Sequence, residues 1–117
     1  MIEPQITYRG MEHSPAMDAR IRELVAKVEH FHPKITSVHV VIDELDRNKR
    51  NGNLFNVRVD AHVPGQEIVA TKQEHEDAYV AMNDAFDVLT RQLEENIRKA
   101  RGEVKRHNAE RGDNATP

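Results

Sequence analysis

Phe55-Asn56-Val57-Arg58-Val59-Asp60-Ala61-His62-Val63 is the stretch that decides the fold. Every odd position is apolar and every even one polar, the period of two that a half-buried strand requires. A strand written this way has one face for a core and one for water. A sheet built on it needs a cover on one side only.

The flanking residues supply the partners. Val38, Val40 and Ile42 alternate with His39 and Asp43, and only Val41 breaks the pattern; the polar run 46–53 contains the turn signal Asn51-Gly52. On the other side Pro64-Gly65 makes a tight turn into a short strand expected from Glu67 to Thr71. These three strands predict an antiparallel meander. Gln5 to Glu12 alternates loosely and reads as an opening strand.

Two helices provide the cover. Ser14 is a good N-cap and Pro15 a good first helical residue; Met17, Ile21, Leu24, Val28 and Phe31 then form a stripe that ends at His32-Pro33. A second helix is expected from about Glu76, with Tyr79, Met82, Phe86, Leu89, Leu93 and Ile97 facing the core. The order β-α-β-β-β-α gives an α+β fold, a four-stranded sheet with two helices packed on one face. A single domain is expected over 1–107. The tail 108–117 lacks apolar periodicity and is expected to be disordered.

Composition excludes several classes. Among the 117 residues there is no Cys, so neither disulfides nor thiolate metal sites are available. Met1-Ile2-Glu3-Pro4 lacks the basic start and apolar run of a secretion signal, and no apolar stretch approaches the ~20 residues of a membrane span. A soluble, cytoplasmic protein is expected. No cofactor or small-molecule substrate is expected either, because no nucleophile–base pair, glycine-rich phosphate loop or metal-spacing motif is present.

The net charge of −3 conceals a strong polarity. From Glu74 to Glu95 acids dominate, with Arg91 the one base, whereas Arg98, Lys99, Arg101, Lys105 and Arg106 crowd the region after them. Strands of nine residues span roughly 30 Å, and a helix over 76–97 already covers roughly 33 Å. Helix beyond Ile97 should therefore overhang the core, carrying that cationic cluster toward a polyanion. Complementing the helix dipole is the alternative use of the same charges.

Two further stretches carry a resemblance. Ile6-Thr7, Met11-Glu12 and Ser14-Pro15-Ala16-Met17 lead into Ala26-Lys27-Val28-Glu29; later come His75-Glu76-Asp77-Ala78-Tyr79-Val80-Ala81-Met82 and Leu89-Thr90-Arg91-Gln92-Leu93. They are similar to the "NITxxxMEITPAI…AKLE" and "HEDMYxAI…LxRQL" stretches of the ribosome hibernation promoting factor family, in the same order, and the likeness covers about residues 5–107. The resemblance implies a fold like that of double-stranded-RNA-binding domains. It implies binding to small-subunit ribosomal RNA across the mRNA and tRNA channel, which blocks translation in stress or stationary phase without any chemistry. Longer members add a C-terminal domain that pairs ribosomes, and a short form without it is expected here. The oligomeric state is left open, a monomer included.

The departures are Val88, where relatives usually place Lys, the acids Glu94 and Glu95 where they are often basic, and Asp18 and Glu23 on a first helix that tends to be more basic. Fewer phosphate contacts predict weaker, less salt-sensitive binding.

Candidate RNA contacts are Arg20, Lys27, His30 and Lys34 on or just after the first helix, Arg91 and Arg98 on one face of the second, and Lys99, Arg101 and Lys105 on its overhang. The competing readings are a solvated face for the first set, and i±3 or i±4 pairing with Asp87, Glu94 or Glu95 for Arg91 and Arg98. Arg47, Lys49, Arg50 and Arg58 form a second cluster on the central hairpin, serving RNA or solubility. His75-Glu76-Asp77 reads as a helix cap, and His39 and His62 as surface neighbours without a third metal ligand. The five aromatics are all expected to point inward, which disfavours recognition of single strands by stacking. A second class of function is a protein adaptor using Asp84, Asp87, Glu94 and Glu95 of the second helix.

Overall fold

The central alternation builds the strand that its period demands: β3 (Leu54–Val63) buries Val57, Val59 and Ala61 and turns Arg58 and His62 to water. A computed structural model describes residues 2–45 and 54–110, with side chains as far as Lys99. The basic residues Arg47, Lys49 and Arg50 therefore lie outside the described residues.

β2 (Ser37–Leu45) runs antiparallel to β3 with Val40 opposite Val59, and β4 (Gln66–His75) flanks the other side with Ala70 opposite Val59. β1 (Gln5–Arg9) lies parallel to β2, with Ile6 beside Val40, so the sheet order is β1-β2-β3-β4. A parallel pair needs a crossover, and α1 (Pro15–Phe31) supplies it. Ser14 caps it as expected, its hydroxyl accepting from the Met17 amide at 3.2 Å. α2 (Ala78–Glu110) packs over β3 and β4 beside α1, and one apolar cluster joins both helices to the sheet. Each fully buried Ile, Leu or Met in it, such as Ile21, Leu89 and Met82, contributes about 1.5–3 kcal/mol.

Several boundaries shift for identifiable reasons. β1 ends at Arg9, short of Glu12, because Gly10 turns with φ +72, and a Cβ there would stand 2.4 Å from the Glu44 carbonyl oxygen. β4 continues past Thr71 to His75 through a bulge. Phe55 pairs with His75 and Val57 with Lys72, which leaves one extra residue on β4. Glu74 takes up the turn with φ 53, and its amide donates to Asn56 Oδ1 at 2.8 Å. α2 begins two residues after Glu76. Asp77 Oδ1 caps it, accepting from the Tyr79 and Val80 amides at 2.9 and 3.2 Å, while the Asp77 amide donates to His75 Nδ1.

The helix stripes also need correction at their ends. In α1 the buried line is Ile21, Val25 and Val28, and Phe31 is 67% exposed. At 3.6 residues per turn Phe31 stands roughly 80° round the helix from Ile21, on the far side from Val25. In α2 small residues, Ala78, Ala81 and Ala85, share the buried line with Met82, Phe86, Leu89 and Leu93. Tyr79 and Ile97 both fall roughly 60° from Met82 and are 40% and 41% exposed. The core thus ends at Leu93, one turn earlier than expected. The helical backbone continues to Glu110, beyond the expected boundary at 107, and 111–117 lie outside the described residues.

The entry to α1 is tied down by Tyr8, whose hydroxyl donates to the Ser14 carbonyl at 3.0 Å and to Asp18 Oδ1 at 2.7 Å. Burial pushes the Tyr8 phenol up, and the hydrogen bond and negative charge of Asp18 add to it. At Asp18 burial acts upward too, but the hydrogen bonds from Tyr8 and His13 outweigh it and hold the carboxyl below the usual range. A depressed carboxylate stabilises the fold above its unfolded value near 3.8 and loses that contribution as pH falls further.

Tyr8→Phe should therefore cost about 1–2 kcal/mol at pH 7, and urea unfolding should show its deficit against the wild type narrowing as pH falls from 5 to 2. Gly10→Ala should lower the unfolding midpoint at least twice as far as Gly65→Ala. Both add left-handed strain of about 1–2 kcal/mol, but only the first meets backbone; space at Gly65 is open.

Candidate nucleic-acid interface

Two helices lying side by side on a sheet leave a valley between them, and the cations of both helices border it. Lys27 of α1 and Arg91 of α2 line one groove with Leu24, Thr90 and Glu94. Past the end of α1 a second groove is lined by Lys34, Lys99, Leu93 and Asn96. Phe31 and His32 border both, so the two grooves make one continuous furrow. Lys27, Lys34, Arg91, Arg98 and Lys99 are all exposed, and no ion pair to any of them is found among the described residues. The pairing of Arg91 or Arg98 with Asp87, Glu94 or Glu95 is thus absent there.

The other candidates separate. Arg20 is a strut between the helices, donating to Glu23 Oε1 at 3.0 Å and across to Asn83 Oδ1 of α2 at 2.9 Å. His30 is exposed and meets Phe31 edge to face, ring centroids 5.0 Å apart. Arg98 borders neither groove, and the side chains of Arg101 and Lys105 lie outside the described residues.

The furrow is not uniformly positive. Asp87 and Glu94 line it beside Lys27 and Arg91, and Asp84 meets Lys72 of β4 at 3.6 Å. The acids of α2 are interleaved with bases and form no separate face. On the opposite surface of the molecule, the uncovered sheet face, several polar side chains pair with one another. Arg58 binds Asp60 at 2.9 Å, His39 meets Thr7 at 2.9 Å, and His62 stands 3.6 Å from Glu67. His39 is opposite Asp60 and His62 opposite Ser37, so the two histidines lie diagonally, two register positions apart, rather than directly opposed. Among the described residues no group of three His, Asp or Glu side chains is placed to hold a metal. No described helix is long and apolar enough to cross a membrane.

Two features of the furrow escaped sequence reasoning. One is the exposed ring of Phe31. The other is His32, 8% exposed, whose Nδ1 and Nε2 both lack a partner. The signal for both was the helix-ending His32-Pro33 step: a stripe position at a last turn has no following turn to hold it inward.

The sequence model of the sigma 54 modulation protein / S30EA ribosomal protein family matches residues 5–101. The chain is 35% identical over 100 residues to the ribosome hibernation promoting factor of Pseudomonas putida, covering 84% of this chain and 89% of that one. It is 32% identical over 90 residues to the ribosome hibernation promotion factor of Deinococcus radiodurans, and spans 46% of that longer protein's length. The ribosomal subunit interface protein of Coxiella burnetii superposes with a TM-score of 0.61 at 27% identity, over 82% of this chain and 97% of that one. The N-terminal domain of Thermus thermophilus Protein Y, at 18% identity, shares the fold with a TM-score of 0.64 over 79% and 94% of the two chains. With all four strands, the first helix and most of the second inside the matched span, the chain belongs to the sigma 54 modulation protein / S30EA ribosomal protein family.

Proposed function

We propose that the protein is a ribosome-associated hibernation factor, a binding protein rather than an enzyme. It docks on ribosomal RNA of the small subunit, occupies the channel used by mRNA and tRNA, and so blocks translation in stress or stationary phase, in the cytoplasm. Relatives named as ribosome hibernation promoting factors support the association with ribosomes. The observation that carries the RNA reading is the furrow: Lys27 of α1, Lys34 in the turn that follows it, and Arg91 and Lys99 of α2 border it, exposed and without ion pairs among the described residues.

Such an arrangement suits folded RNA. Cations on two rigid ridges match sugar-phosphate walls by shape and charge, without reading base sequence. The acids inside the furrow temper the attraction, which keeps the salt dependence shallow for a ribosome ligand. Four phosphate contacts at about −0.7 to −0.9 each give a log-log slope of about −3.

Cosedimentation with purified small subunits across a potassium chloride series checks this. Lys27→Glu combined with Arg91→Glu should weaken association by at least about tenfold and make the slope shallower by about 2. Charge reversal at Arg91 and Arg98 together should weaken it as well. Arg58→Glu, on the uncovered sheet face, should leave it unchanged. In vitro translation should slow in proportion to occupancy, and unimpaired association of both double variants would refute the reading.

A further inference from the structure

Phe31 is the most exposed large apolar side chain among the described residues. It stands 67% exposed on the last turn of α1, its ring braced edge-on by His30 at an interplanar angle of 82°. Exposed aromatics held in this way are platforms, since a fixed ring offers its flat face at little conformational cost. Beside it His32 forms the inner wall of the furrow with both ring nitrogens unanswered, although the residue is only 8% exposed. A buried imidazole without partners is a standing cost to the fold, and natural cores rarely keep one. Lys34 and Lys99 complete the rim of the same hollow, and Leu93 and Ile35 its apolar floor.

We infer that this hollow receives one unpaired nucleobase of a folded RNA, stacked on Phe31, with Lys34 and Lys99 holding the adjoining phosphodiester. The inference rests on the RNA-binding reading and deepens it, because a paired helix offers phosphates and 2′-hydroxyls but no open base face. The chemistry favours a base over an apolar peptide. A flat exposed ring beside two cations matches a π surface and its negative link. A contiguous apolar groove without the cations would suit a peptide better.

The test uses the full chain and two RNA hairpins, identical except that one carries a single bulged 2-aminopurine. Wild-type protein should bind the bulged hairpin about tenfold more tightly, with a fall in 2-aminopurine fluorescence on binding. Phe31→Ala should erase both the preference and the quenching without lowering the unfolding midpoint, and Phe31→Trp should retain them. Equal affinity for the two hairpins overturns the inference while leaving phosphate recognition standing. Equal affinity together with loss of small-subunit cosedimentation in Phe31→Ala also overturns it and makes a ribosomal protein the occupant. Failure to bind either hairpin overturns the inference and the RNA reading beneath it together.

Discussion

Ile6, Val40, Val59 and Ala70 stand abreast across the four strands, a single apolar row with Val40, Val59 and Ala70 buried and Ile6 partly so. The row commits one face of the sheet to burial, and everything else about the molecule follows from covering it. One helix of 17 residues is too narrow to cover four strands, so two must share the task. Side by side, they present parallel ridges with a valley between. That geometry, rather than any single residue, brings Lys27 and Arg91 to one groove although they are remote in the chain.

Strand periodicity made the architecture legible, because a period of two has only two outcomes at each position and a slip would invert the whole face. β3 was readable residue by residue, and the cap at Ser14 was plain from residue type alone, whereas the cap of α2 was narrowed from His75-Glu76-Asp77 to Asp77 only by its hydrogen bonds. The ends of the helix stripes were not readable. Steps of three and four accumulate angular drift, so Phe31, Tyr79 and Ile97 could be placed only once the buried centre of each helix was known. The extension of β4 was hidden for another reason: the bulge at Glu74 depends on the Asn56 side chain of a neighbouring strand.

At the interface, charge was easier to read than freedom. The sequence lists Arg20 and Lys27 as equivalent cations on one helix, yet the first is held by Asn83 and Glu23 and the second is not. Only the packing of α1 against α2 distinguishes them. Arg58 is a similar case, since Asp60, two residues along the same face of β3, neutralises it locally. A surface of net negative charge can thus still offer a polyanion a cationic track, provided that the unpaired bases line up on one side.

The irregularity in β4 also bears on how these molecules behave when concentrated. β4 is the outermost strand on its side, and an outermost strand with an unbroken ladder invites a second chain to extend the sheet. The left-handed residue at Glu74, pinned by Asn56, throws the last part of that ladder out of step. The opposite border, β1, runs for only five residues. Both margins are thereby poorer templates for a second chain than long, regular edges would be.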